Sequence, residues 1–166
     1  KIEAIGATLG AVITNINLAN VTQTDWQLID EAFDDYALLV FPDQFLSEDA
    51  QVDFSEHFGE IEMLRGAGGG KAVPMSNQKA DGTVLKVDDE DDKHRFMTLR
   101  GNEGWHMDST YMPLAAKAGV LSAKVVPSSG GETEFADMRA AYDELAPSTL
   151  EKISALSAFH SLYQSQ

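Results

Sequence analysis

Trp105-His106-Met107-Asp108 holds the two side chains with the most legible chemistry in this 166-residue chain. In an extended segment, residues i and i+2 point to the same face, so one imidazole and one carboxylate can meet a single divalent ion. With a distant histidine, such a pair makes the 2-His-1-carboxylate facial triad of non-haem iron(II) sites. Three coordination positions then stay open, enough for a bidentate 2-oxo acid and dioxygen. The spacing alone is a weak signal. Four histidines and 15 aspartates in 166 residues give H-x-D by chance about 0.4 times. A histidine hydrogen-bonded to a neighbouring carboxylate, or a zinc hydrolase site, would use the same pair.

The elements that must position this pair follow from periodicity and capping. Lys1–Ile5 reads as a short strand, and Ala11–Ile16 alternates and is β-branched. Thr24 and Gln27 form a T-x-x-Q capping box for a helix with Trp26, Ile29, Phe33 and Tyr36 at helical spacing. Ala37–Phe41 predicts a buried strand stopped by Pro42. Ser47 caps a second helix carrying Phe54 and Phe58, with Gly59 as its stop. From Leu64 to Arg100 the pattern breaks down, with a glycine run at Gly66–Gly70 and an acidic run at Asp88–Asp92. The expectation there is a variable, mobile loop, either merely solvated or a lid over a site. Gly119–Val126 predicts a strand ended by Pro127, and Ser128–Gly131 a turn. Asp137 caps a helix through Met138, Ala141 and Leu145, Pro147 opens another to about Ala155, and Ala158–Tyr163 resembles a strand beginning.

Composition narrows the function classes. Twelve basic against 27 acidic residues leave a net charge of −15, which repels phosphate backbones and argues against nucleic acid as a partner. No apolar run approaches the length of a membrane span. The first residues, Lys1–Ile5, lack the basic and apolar regions of a signal peptide. The absence of cysteine removes disulfides, thiolate nucleophiles and cysteine metal sites, and fits a reducing, cytoplasmic compartment. The expected partner is a small molecule, with neither nucleic acid nor membrane involved and a homo-oligomer left open.

The surroundings of His106 carry more than the pair does. Trp105-His106-Met107-Asp108-Ser109-Thr110-Tyr111 is followed by Pro127-Ser128-Ser129-Gly130-Gly131-Glu132-Thr133 and by Ala140-Ala141-Tyr142. Val40-Phe41 and Phe54-Ser55-Glu56-His57-Phe58-Gly59 precede them. This succession resembles the taurine dioxygenase and 2,4-dichlorophenoxyacetate dioxygenase (TauD/TfdA) family, from about Gly10 onward and least between Leu64 and Arg100. The resemblance implies a mixed α/β, mainly β fold: a double-stranded β-helix (jelly roll) with flanking helices. The C-terminal part of its barrel would lie outside this chain. Residues 1–166 would then be the N-terminal portion of one dioxygenase domain, with 64–100 as its variable lid region.

The same resemblance implies site roles. His106 and Asp108 match two Fe(II) ligands, and Thr133 matches the threonine whose hydroxyl binds 2-oxoglutarate. Asn102 matches an asparagine lining the co-substrate space, although a turn asparagine explains it as well. Trp105 reads as a core residue. The family's third ligand and its 2-oxoglutarate-pairing arginine fall beyond residue 166. His160 matches a non-ligand histidine, and His57 and His94 match no ligand. The implied activity is hydroxylation of a small anionic substrate, sulfonate or phenoxy acid, with 2-oxoglutarate and O2 as co-substrates. A jelly-roll binding protein without catalysis and a zinc hydrolase are the alternatives. Arg65, Lys71, Lys93, Arg95 and Arg100 are candidates to receive a substrate anion, or to solvate the loop.

Overall fold

The computed structural model describes residues 1–63 and 70–161. Along them run β1 (Ile2–Ala4), β2 (Ala11–Ile13), α1 (Gln23–Tyr36), β3 (Leu39–Val40), α2 (Glu48–Ser55), α3 (Glu90–Gly101), α4 (Met138–Asp143) and α5 (Pro147–Ile153). Helix exceeds strand among the described residues, against the expectation of a mainly β chain. They fall into two compact units: Lys1–Glu60 with Val120–Ala158, and the described residues of 61–119 with 159–161.

The first unit contains one sheet of order β1-β2-β3. β1 and β2 are antiparallel, with Ile2 opposite Ile13, and β2 and β3 are parallel, with Ala11 beside Leu39. A parallel pair needs a crossover connection, and α1 supplies it. Ala11 and Ile13 are fully buried while Val12 between them is less so, the two-residue alternation of a strand with one face on a core.

Helix α1 starts two residues earlier than Thr24 and Gln27 suggest. Thr22 is its cap: the hydroxyl accepts from the Asp25 amide at 3.1 Å, and the Asp25 carboxylate accepts from the Thr22 amide at 3.1 Å. At the other end Ala37 adopts a left-handed φ of 57° and its amide returns to the Phe33 carbonyl at 2.8 Å. That cap consumes the start of the expected strand Ala37–Phe41, which shrinks to Leu39–Val40. Ser47 caps α2 as expected, accepting from the Ala50 amide at 3.2 Å. The helix ends at Ser55, before Gly59. Asp137 caps α4, and Pro147 opens α5.

Between sheet and helices lies a core of Leu18, Ile29, Leu46 and Phe54, against which Trp26, Phe41, Phe58 and Val120 pack. Its aromatic rings meet edge to face, Trp26 and Phe58 at 4.8 Å and Phe54 and Phe58 at 5.8 Å, the arrangement their quadrupoles favour. His57 lies 5.1 Å from Trp26 with Nδ1 3.1 Å from the Asp53 carbonyl, a packing role.

Gly119–Val126 forms neither helix nor strand among the described residues. A strand needs a hydrogen-bonded neighbour, and this segment is strapped by side chains instead. Gln51 donates to the Val120 carbonyl at 3.0 Å, and the Lys124 ammonium donates to the Leu46 carbonyl. Residues 158–161 are likewise irregular.

In the second unit the acidic run is no loop. Asp89 caps α3, its carboxylate accepting from the Asp91 amide at 3.0 Å, and Glu90, Asp91 and Asp92 fill the first turn. Acidic groups there favour the positive end of the helix dipole, and Arg100 occupies the last turn. Asp92 is buried, accepting from the Lys79 ammonium at 2.6 Å and the Lys86 amide at 2.9 Å. The expected mobile segment is thus a helix start; Gly66–Gly69 lies outside the described residues. Ahead of it, Gln78 pairs with Val84 around a turn in which Asp81 accepts from the Thr83 amide at 3.0 Å and hydroxyl at 2.7 Å. No helix among the described residues is long and apolar enough to cross a membrane.

Candidate metal centre

Helix α3 hands the chain directly to His106. Asn102 is its C-cap, with the amide returning to Leu99 at 3.2 Å and that of Glu103 to Arg100 at 3.1 Å. Asn102 therefore ends the helix that leads into the pair, the turn role the sequence left open. After it the chain is irregular, and His106 and Asp108 sit on a loop, not on a strand.

The i, i+2 spacing still brings their donor atoms together. His106 Nε2 and Asp108 Oδ1 are 3.4 Å apart. That is longer than the 2.7–2.9 Å of a charge-assisted hydrogen bond. Two ligands with bonds near 2.1 Å to one divalent ion lie about 3.0 Å apart at right angles and about 3.4 Å apart at the tetrahedral angle, so both side chains are within reach of a single ion. Both groups are open to a ligand, with 49% of the His106 side chain and 87% of the Asp108 side chain exposed.

The ring is oriented from its far side. His106 Nδ1 lies 2.7 Å from the Gly104 carbonyl. A carbonyl only accepts, so Nδ1 donates in that bond, and Nε2 is the ring nitrogen left facing Asp108 and available to a metal. A second nitrogen held by a backbone carbonyl is the usual support of a metal-binding histidine. The donor set and its geometry therefore fit a divalent metal.

Beyond Asp108 stands an anchor the sequence did not reveal. Ser109 is 6% exposed, holds a left-handed φ of 59°, and donates its hydroxyl to the Glu62 carboxylate. Its carbonyl accepts from the Met112 amide at 3.0 Å, closing a turn. Nothing local signals a contact between residues 47 apart. Trp105, expected in the core, is 72% exposed; the loop that presents His106 leaves its neighbour without a partner surface among the described residues.

No third histidine, aspartate or glutamate joins the pair to make a metal-holding group among the described residues, and His160 accordingly stays outside it. Thr133 lies in the first unit, in the irregular segment between Gly131 and Asp137. Gly130 and Gly131 both take a φ of 75°, the turn expected of them. Among the basic candidates, Arg95 is engaged with the carbonyls of Ser76 and Gln78 at 3.0 and 3.3 Å, and Lys93 pairs with Glu90 at 3.4 Å. Arg65 lies outside the described residues.

Residues 1–166 match the model of the family described as "Taurine catabolism dioxygenase TauD, TfdA family". The chain is 46% identical to the (S)-phenoxypropionate/alpha-ketoglutarate-dioxygenase of Sphingobium herbicidovorans over 99% of its own length and 54% of that protein. It is also 46% identical to the enzyme of the same name from Delftia acidovorans, over 100% and 56%. The crystal structure of AAD-2 in complex with Mn(II) and N-oxalylglycine superposes with a TM-score of 0.87 at 35% identity, covering 99% of this chain and 58% of that one. The chain thus spans about half the length of the relatives it matches.

Proposed function

This chain belongs to the taurine catabolism dioxygenase TauD, TfdA family, and on that premise we propose that the protein carrying it is an iron(II)- and 2-oxoglutarate-dependent dioxygenase. Its proposed substrate is a small organic anion of the phenoxyalkanoate type, the class named for the two 46% identical relatives. One observation carries the reading. His106 Nε2 and Asp108 Oδ1 stand 3.4 Å apart with Nδ1 held by the Gly104 carbonyl, which supports them as two of the three ligands of a facial triad.

The third ligand and the arginine that pairs with 2-oxoglutarate are assigned to residues after Gln166, in the length of the relatives that this chain does not span. Both compact units then belong to one dioxygenase domain, a double-stranded β-helix with helices outside. The likeness to AAD-2, whose N-oxalylglycine shares the adjacent carbonyl and carboxylate of a 2-oxo acid, supports that assignment.

When bound, the iron supplies the redox chemistry by which 2-oxoglutarate, O2 and a C–H bond become succinate, CO2 and an alcohol. The chain supplies placement. His106 and Asp108 would hold the metal, the Gly104 carbonyl would orient the His106 ring, and Thr133 would donate its hydroxyl to a co-substrate carboxylate. Asn102 lines the approach to the pair from the end of α3. Hydroxylation of the carbon next to an ether oxygen yields a hemiacetal-type product that collapses to a phenol and a carbonyl compound. No observation favours a zinc hydrolase or a non-catalytic binder.

The test is substrate-dependent succinate release across phenoxy acids, sulfonates and alkyl sulfates. His106→Ala and Asp108→Ala should each abolish iron(II) binding and succinate formation, because each removes a protein ligand from a three-ligand site. Thr133→Ala should retain iron and lose about ten- to a hundredfold in 2-oxoglutarate affinity, the effect of one hydrogen bond to a charged group. Full iron binding by either ligand variant would overturn the reading.

A further inference from the structure

Ser109 and Asp92 are the two buried polar residues among the described ones. Asp92 anchors α3, whereas Ser109 has no helix or strand to serve. It follows Asp108 directly, and three features at it are individually unfavourable or demanding. A left-handed φ in a non-glycine residue is strained. A buried hydroxyl needs a partner. The partner, Glu62, lies 47 residues away in sequence, so its bond closes a long loop. Structure of this kind persists where the surroundings over-determine it, and such residues gather at functional sites.

We propose that the Ser109–Glu62 hydrogen bond is a positioning device for the metal pair, setting the direction of the Asp108 carboxylate as the Gly104 carbonyl sets that of His106. The backbone of Ser109 leaves Asp108 through a left-handed turn closed by the Met112 amide. Released from Glu62, Ser109 relaxes toward an ordinary extended or right-handed conformation, and the peptide that orients Asp108 turns with it. The Asp108 carboxylate, itself 87% exposed, has no other restraint of this kind among the described residues. Each ligand is thereby held from outside the pair: His106 through its ring, and Asp108 through the next residue of the chain. The inference rests on the metal-centre reading above and adds Glu62 and Ser109 to it.

The experiment measures anaerobic iron(II) affinity by calorimetry, and thermal melting in the presence of a chelator, for the full-length protein carrying this chain. The variants are Ser109→Ala, Glu62→Ala, Glu62→Gln and the Ser109→Ala/Glu62→Ala double variant, with His106→Ala as control. Loss of an outer partner of a metal ligand weakens metal binding about 10- to 100-fold. That loss is expected for Ser109→Ala and Glu62→Ala, with no further loss in the double variant. Glu62→Gln keeps an amide oxygen for the Ser109 hydroxyl and should restore affinity. Glu62 is only partly buried, so its variants report even if Ser109→Ala fails to fold. Melting temperatures that fall while iron affinity stays at the wild-type value would overturn the proposal and leave a structural bond. Additive losses in the double variant would also overturn it. If His106→Ala itself keeps its iron, the metal-centre reading fails, and the proposal fails with it for that separate reason.

Discussion

In the unit that opens the chain, α1 buries Ile29 and Ala32, and Ile29 joins Leu18, Leu46 and Phe54 in a core ringed with aromatics. In the unit that carries His106, α3 buries only Asp92 of its twelve residues. The one helix is fixed by apolar area, which is indifferent to ionisation. The other is fixed by an ammonium, a backbone amide and Arg95, whose guanidinium ties α3 to the carbonyls of Ser76 and Gln78. The His106–Asp108 pair follows the second of these helices in the chain. Its placement therefore inherits the sensitivities of a polar framework, while the scaffold unit does not.

The contrast is broken most forcefully in the apolar unit. Phe54→Ala removes a ring that is 3% exposed and meets Phe41 and Phe58 edge to face, and should destabilise the protein by about 3–5 kcal/mol. Urea denaturation followed by tryptophan fluorescence measures it; a loss under 1 kcal/mol would mean the aromatic cluster is not the scaffold's support.

A smaller and local effect is expected from Asp92→Asn. It should speed amide exchange along α3 and leave α1 unchanged. The same anchor has a pH signature. The hydrogen bond from Lys79, then that from the Lys86 amide, holds the Asp92 carboxyl below the ordinary carboxylate range. Asp92 in turn raises the Lys79 ammonium above its ordinary value. A lowered carboxyl stabilises fully above its unfolded pKa and loses the contribution as pH falls through the folded one. A raised ammonium stabilises fully below its unfolded pKa and loses the contribution as pH rises through the folded one. Protection of α3 relative to Asp92→Asn, corrected for intrinsic exchange, should be flat between those limits and shrink toward both. A difference that grows in acid would refute the assignment.

The smallest effect sharpens the comparison from the capping side. Thr22→Ala opens the reciprocal box with Asp25 and should cost about 1 kcal/mol. Its consequence should stay within the first turn of α1, since Ile29 keeps the rest of the helix on the core. Fraying visible by exchange beyond that turn would show that α1 depends on its cap as much as α3 does.

What the sequence disclosed follows the same division. Apolar spacing located α1 and α2, and local capping chemistry located Ser47, Asp137 and Pro147, because those signals act within one or two turns. Thr24 and Gln27 competed with Thr22 and Asp25 for the same cap, and only the backbone at Thr22 decides between them. Helix α3 escaped because it has no apolar stripe to read; Asp89, its acidic first turn and Arg100 were the available signs. At the site, the spacing of His106 and Asp108 was legible, but their 3.4 Å approach is made on a loop and not on the extended segment that the spacing suggests. The Ser109–Glu62 bond and the pairing partners that Gly119–Val126 would need are long-range facts, which no local pattern encodes.

The β2-α1-β3 crossover has a consequence for how the protein is made. The sheet, α1 and α2 are complete by Ser55, so a ribosome delivers these elements before any residue of α3 and before His106 and Asp108. Contacts of short sequence separation also close fastest. The straps onto Val120 and Lys124 span 69 and 78 residues and arrive late. The nascent chain is therefore expected to settle its sheet and first two helices during synthesis, before His106 and Asp108 are delivered.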